Sequence, residues 1–291
     1  MTIRPRRSVL YMPGSNARAL EKARHIDADC LILDLEDSVA PEAKELARAQ
    51  VVAAVRAGGY GRREVLIRVN GPGTPWHADD VAAAAAACPS GVVLPKVQSV
   101  ADVERLATGL RRAGAPDGIR IWAMIETPLG VLKAAEIAAA SRHPGCPLAG
   151  LIVGLNDLFK ETRAQPDAER TAALLWLTTV VTAARAYGLD ALDSAYNDFR
   201  DPEGLRRECL AARKLGFDGK TLIHPDQVAV ANEAFAPLPE EIAWAKKVLA
   251  AFERPENQGK GVINLDGRMV ELLHAEMARR TLAISNSITR D

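Results

Sequence analysis

Residues 121–130 read IWAMIETPLG, an apolar run that ends on an acid and is then stopped by Thr127 and Pro128. The unbroken apolar stretch from Ile121 to Ile125 suits a strand covered on both faces, as in a parallel sheet. Glu126 at its tip has two readings: the chain emerging into water, or a rigid arm carrying a functional carboxylate. The same pattern recurs on either side. SVLYM (8–12), CLILDL (30–35), EVLIRV (64–69), GVVLPK (91–96), LIVGL (151–155), DALD (190–193) and KTLIH (220–224) bring such runs to eight. Between them lie Ala-, Arg- and Glu-rich segments with helical periodicity, so the chain alternates β and α. Eight such units over roughly 220 to 230 residues predict a TIM (β/α)8 barrel rather than an open sheet.

Past residue 236 the pattern changes. LPEEIAWAKKVLAAFER predicts a helix, GKGVINLDGRMV a hairpin turning at Asp266 and Gly267, and ELLHAEMARRTLAIS a final helix. The chain therefore divides into a catalytic barrel over 1–235 and a C-terminal helix-hairpin-helix extension over 236–291. The extension is too small to stand alone and is expected to pack on the barrel or on a neighbouring subunit.

Composition narrows the function. The 291 residues are 48% hydrophobic and 25% charged, with 37 basic and 37 acidic side chains. That balance gives no global field for a polyanion, so a nucleic-acid partner has no compositional support. Cys30, Cys88, Cys146 and Cys209 show no CxxC spacing, which argues against a zinc cluster or a disulfide framework and suits a reducing cytoplasm. The N-terminus lacks the apolar core of a signal peptide, and no window approaches a membrane span, so no membrane association is expected.

Barrel chemistry sits at the C-terminal ends of the strands. The polar residues there are Glu36 and Asp37, Arg68 and Asn70, Lys96, Glu126, Asn156 and Asp157, Asp193, and His224. Glu126 and Asp157 close neighbouring strands, and carboxylates brought together repel unless a cation or a shared proton lies between them. With oxygen donors alone, a hard ion, Mg²⁺, is the expected occupant; salt bridges to Arg68 or Lys96 are the structural alternative. In LILDLEDSV, Asp34 is expected at the barrel wall or interior, in an ion-pair network or near the site. Glu36 and Asp37 are placed to accept hydrogen bonds from Arg68 or from metal-bound water. Arg68 lies in a run that should be buried and needs an anion, either Glu36 or a substrate oxygen. His224, before Pro225, reads as a structural strand-end residue. YMPGSN precedes a helix bearing Arg18 and Lys22, a candidate anion-binding helix start.

Several segments, in order and spacing, resemble the citrate lyase beta subunit-like family of the HpcH/HpaI aldolase superfamily, which includes malyl-CoA and citramalyl-CoA lyases. They are RSVLYMPGSNARALEKA, ADCLILDLEDSVAPEAKELAR, LIRVNGPGTPW, GVVLPKV, AMIETPLGV, GLNDL and LGFDGKTLIHPDQV. The resemblance implies a (β/α)8 barrel assembled as a homotrimer or homohexamer, with Mg²⁺ held by Glu126 and Asp157. Arg68 would hold the substrate and stabilise a thioester enolate, with Glu36 and Asp37 beside it, and Arg18 and Lys22 would meet the CoA phosphates. The family's acid–base Asp follows a DGxM hairpin, commonly in an adjacent subunit. Here NLDGRMVELL puts Glu271 at that position, one methylene longer, with Asp266 as the nearby alternative.

The implied activity is a Mg²⁺-dependent carbon–carbon lyase joining or cleaving a 2-oxo acid and an acyl-CoA, on a substrate of the malyl-CoA or citramalyl-CoA type. The alternatives are a malyl-CoA-type thioesterase, a citrate lyase beta subunit working within a larger complex, and a non-catalytic oxo-acid-binding protein.

Overall fold

The computed structural model describes residues 4–288. Eight parallel strands close into a barrel: β1 (Ser8–Pro13), β2 (Cys30–Asp34), β3 (Glu64–Arg68), β4 (Gly91–Leu94), β5 (Arg120–Ile125), β6 (Leu148–Val153), β7 (Asp190–Asp193) and β8 (Gly219–Leu222). Each pairs with the next, and β8 returns to β1. The eight runs legible in the sequence are these strands, and the architecture is the (β/α)8 barrel. Among the described residues no helix is long and apolar enough to cross a membrane.

Side chains alternate along a strand, so every second residue points inward. Val9, Cys30, Ile32, Leu66, Val93, Trp122, Met124, Ile152 and Leu192 form one buried cluster inside the barrel, with Tyr11 packed against it. Trp122, fully buried, is its largest member. Its indole lies across Gly150, where a Cβ would come within 2.2 Å of Trp122 Cζ3. The missing side chain in β6 is therefore what admits the tryptophan from β5.

Two local departures from the sequence expectation bear on the site. β6 ends at Val153, and a helix, Leu155–Thr162, begins where the sequence predicts a continued strand. Asn156 and Asp157 thus lie in the first turn of that helix rather than on a strand tip. After β5 the helical segment predicted between the strands is split into two short helices, Pro128–Leu132 and Ala134–Ala139. Thr127 caps the first of them, its hydroxyl accepting the Gly130 N–H at 3.0 Å. This accounts for the TPLG stop: a capping threonine, then proline at the first helical position, where no N–H is needed.

The chain forms two compact units, the barrel over Arg6–Ala234 and a smaller one comprising the segment from Phe235 onward together with Arg4 and Pro5. Within the smaller unit, helix Pro239–Glu253 is followed by an antiparallel hairpin, β9 (Val262–Leu265) and β10 (Arg268–Glu271), and by helix Leu272–Ile288. Asp266 and Gly267 both have positive φ, 51° and 76°, the conformation of a two-residue turn matched to strand twist. Val248, Ile263, Leu265 and Val270 anchor a separate apolar cluster there.

Candidate active site

The alternation that builds the barrel interior also selects the site. Continuing each inward set toward the C-terminal end leads from Val9 to Tyr11, from Ile32 to Asp34, from Leu66 to Arg68 and from Met124 to Glu126. Asp34, Arg68 and Glu126 are all buried. The apolar run of β5 therefore ends in an acid whose side chain lies inside the protein: Glu126 is 1% exposed.

Arg68 is held by two acids of unequal role. Its Nε and Nη2 donate to the two Asp34 oxygens at 2.6 and 2.7 Å, a bidentate fork. Asp34 also accepts the Ser38 hydroxyl at 2.6 Å and the Glu36 N–H at 2.9 Å. Burial alone would raise the Asp34 pKa, but the charge and hydrogen bonds of Arg68, together with the hydrogen bonds from Ser38 and the Glu36 N–H, outweigh it and hold the carboxyl below its usual value. The structural anchor of Arg68 is thus Asp34, where the sequence pointed to Glu36. Glu36 Oε2 stands 3.0 Å from Arg68 Nη1, and Asp37, largely exposed, stands 3.8 Å from the same nitrogen. The Nη1 approach to Glu36 is off the hydrogen-bonding direction, so Glu36 Oε2 is buried without a hydrogen-bond donor. The Arg68 guanidinium also lies 4.7 Å over the Tyr11 ring. With Nε and Nη2 committed to Asp34, Nη1, which makes only a weak contact with Met124 Sδ at 3.9 Å and the ion pair with Glu36, is the donor that faces the site.

Glu126 accepts the Lys96 N–H at Oε1, 2.7 Å. Its other oxygen is directed toward Gly154, where a Cβ would sit 2.5 Å from Oε2. Gly154 is the N-cap of Leu155–Thr162, the helix that carries Asp157 in its first turn. Burial pushes the Glu126 carboxyl up to about 8; the charges of Glu36 and Asp157 add to the shift, and those of Lys96 and Arg68 oppose it. Asp157 is thus close enough for its charge to be felt at Glu126.

Lys96 links the two acids. Its ammonium donates to Glu36 Oε1 at 2.5 Å. Beside it opens a cleft of about 1210 Å³ lined by Glu36, Asp37, Lys44, Asn70, Trp76 and Lys96, among others. Lys44, buried, donates to the carbonyls of Leu35 and Glu36 and to Asn70 Oδ1, each at 2.7 Å, and so ties the loop after β2 to the end of β3. Nothing in the local sequence marks Lys44 as special. Tyr11 also went unmarked, although it continues the inward alternation of β1.

The remaining polar residues singled out in the sequence make other contacts or are exposed. Asp193 forms a buried network with Lys220, 2.9 Å away, and Arg170, 2.8 Å away. His224 stacks on Phe199 with ring centroids 4.7 Å apart. Arg18 and Lys22 are exposed on helix Ala17–Lys22, directly after β1. In the smaller unit, Glu271 ends β10 half-buried, its N–H donating to His274 Nδ1 at 3.0 Å, while the Asp266 carboxylate pairs with Lys247.

Residues 7–225 match the family model for HpcH/HpaI aldolase/citrate lyase. The chain belongs to this family. It is 48% identical over 284 residues to a (3S)-malyl-CoA thioesterase of Cereibacter sphaeroides, covering 98% of this chain and 96% of that protein. It is 32% identical to the human mitochondrial citramalyl-CoA lyase, covering 98% of this chain and 86% of that one. Among solved structures, the CitE protein of Mycobacterium tuberculosis in complex with magnesium, acetoacetate and coenzyme A superposes with a TM-score of 0.77 at 32% identity, covering 97% and 98% of the two chains.

Proposed function

We propose that this protein hydrolyses a short hydroxydicarboxylic acyl-CoA of the malyl-CoA type, with Mg²⁺ held by Glu126 and Asp157 and the thioester oxygen met by Arg68. The motifs in the sequence put carbon–carbon cleavage first. The 48% identity over nearly the full length to a malyl-CoA thioesterase supports hydrolysis ahead of it.

The residues fit a hard divalent cation. Two carboxylate ligands, Glu126 and Asp157, would leave positions for water and a chelating substrate. Glu126 is buried with Oε2 turned to the bare Gly154 cradle at the start of the Asp157 helix, a space a side chain would fill. When bound, the ion polarises the substrate oxygens it chelates.

The chain's own groups do the rest. Asp34 fixes the guanidinium plane of Arg68, so Nη1 is presented without reorganisation to the negative charge that develops on the thioester oxygen. Removing one such donor typically lowers the rate about 10²–10³-fold. Burial raises the Glu36 pKa. Its Oε2, lacking a hydrogen-bond donor, is suited to take the proton from a water attacking the thioester carbon. The C–S bond then breaks and CoA departs as the thiolate, leaving the free acid. Arg18 and Lys22, exposed after β1, supply cations for the CoA phosphates.

The observation that carries this reading is the fixed, buried Arg68 with Nη1 uncommitted to Asp34. The same donor suits an enolate, so carbon–carbon cleavage is the second reading, supported by the similarity to citramalyl-CoA lyase. Product analysis with malyl-CoA, Mg²⁺ and purified protein separates them. Free CoA thiol with malate supports hydrolysis, acetyl-CoA with glyoxylate supports cleavage, and neither product overturns both.

A further inference from the structure

Lys96, two residues beyond β4 and directly after Pro95, has φ of 54°, in the left-handed region that a residue bearing a Cβ enters only against a steric penalty. Strain of this kind persists where the surroundings over-determine it. Here the turn accomplishes two things at once. The Lys96 N–H is aimed at Glu126 Oε1, and its side chain carries the ammonium to Glu36 Oε1. The side chain is 39% exposed and lines the large cleft, so the charge it supplies is felt by whatever enters there.

We propose that Lys96 is a positioning residue that holds and neutralises Glu36 beside Glu126 and sets the charge an incoming anion meets. The inference rests on the metal site of the preceding subsection. Without the ammonium, Glu36 keeps only the off-axis contact with Arg68 Nη1, and a third negative charge beside Glu126 is left uncompensated. Excess negative charge strengthens the hold on a divalent cation and repels an anionic substrate. The affinities for cation and anion therefore move in opposite directions when the ammonium is removed, whereas simple structural damage lowers both.

The test uses the full chain with Lys96→Met, Lys96→Gly and Lys96→Arg. Lys96→Gly keeps the backbone N–H and relieves the left-handed strain, so it folds even if Lys96→Met is impaired. Mn²⁺, which takes similar oxygen donors, is titrated by electron paramagnetic resonance, and pyruvate by calorimetry at saturating Mn²⁺. Loss of the ammonium in Lys96→Gly and Lys96→Met is expected to tighten Mn²⁺ by about three- to tenfold and to weaken pyruvate by about tenfold, the scale of one unit charge at a partly exposed site. Lys96→Arg, which keeps the charge, stays within about threefold of wild type on both. Unchanged affinities in Lys96→Gly, or a loss of both, overturn the proposal while leaving the metal site standing. Wild-type protein that binds no Mn²⁺ overturns the metal site and this inference with it.

Discussion

Asp34→Asn isolates what holds Arg68 in place. Asp34 accepts two charge-assisted hydrogen bonds from Arg68 at 2.6 and 2.7 Å in a fully buried setting. At about 3 Å and an effective dielectric of about 20, the gross attraction of such a pair is about 5 kcal/mol. Breaking a buried pair by removing one charge typically costs about 3–5 kcal/mol, because the partner is left uncompensated. Asparagine keeps the shape and one acceptor, which recovers about 1 kcal/mol, for a net destabilisation of about 2–4 kcal/mol near pH 7. The pH dependence has a definite sign. The folded Asp34 pKa lies below its unfolded value, since Arg68 and the hydrogen bonds from Ser38 and the Glu36 N–H together outweigh the effect of burial. Its stabilisation is therefore fully present above an unfolded pKa of about 3.9 and is lost as pH falls through the folded pKa. Urea unfolding followed by tryptophan fluorescence, at fixed protein concentration, should show wild type and Asp34→Asn well separated at pH 7 and converging below about pH 4. A difference under about 1 kcal/mol at pH 7, or one that does not shrink in acid, refutes the anchoring role.

Three further outcomes follow from the same geometry. Glu126→Gln should abolish Mn²⁺ binding yet stabilise the metal-free protein: the folded Glu126 pKa is raised to about 8, so ionising it near neutrality opposes folding, by up to about 3 kcal/mol at pH 7. Calorimetric titration and thermal melts check both halves, and retained metal affinity would remove Glu126 from the site. Gly150→Ala should destabilise the barrel by about 1–3 kcal/mol or more, because the new methyl would lie 2.2 Å from Trp122 Cζ3 and 2.8 Å from the Asp190 carbonyl; a melting temperature equal to wild type would show that the indole yields. Glu271→Ala, at a half-buried side chain, should leave both the melt and turnover close to wild type, because Glu36 takes the proton; a fall in turnover of about 10²-fold would move that task to Glu271.

How much of this was legible in the chain depends on the range of the interactions concerned. The barrel was readable because a doubly covered parallel strand must be apolar throughout, and eight such runs admit few closures. Glu126 was readable for the complementary reason, being the acid that an apolar run delivers to its own tip. Asp157 shows where local pattern stops. LIVGL has the composition of a strand, but Gly154 is bare against the Glu126 carboxylate and caps a helix, so the strand ends at Val153 and Asp157 enters a helical turn. That choice depends on a side chain 28 residues earlier, which no window of the sequence contains. Glu36 does pair with Arg68, but the bidentate anchor at Asp34 was missed for a related reason. Asp34 and Glu36 differ by two positions and so share a face in an ideal strand, but β2 ends at Asp34. The chain then turns, and only Asp34 meets both Nε and Nη2. Lys44 had no local signal and Lys96 was legible only as a strand-tip residue, since each acts across loops: Lys44 on carbonyls eight and nine residues away and on Asn70, Lys96 on acids just beyond β2 and β5. Strand order and burial follow from composition, whereas charge balance at the mouth is set by long flexible side chains whose partners are distant in sequence. In this protein the chemistry therefore depends most on the contacts that sequence pattern encodes least.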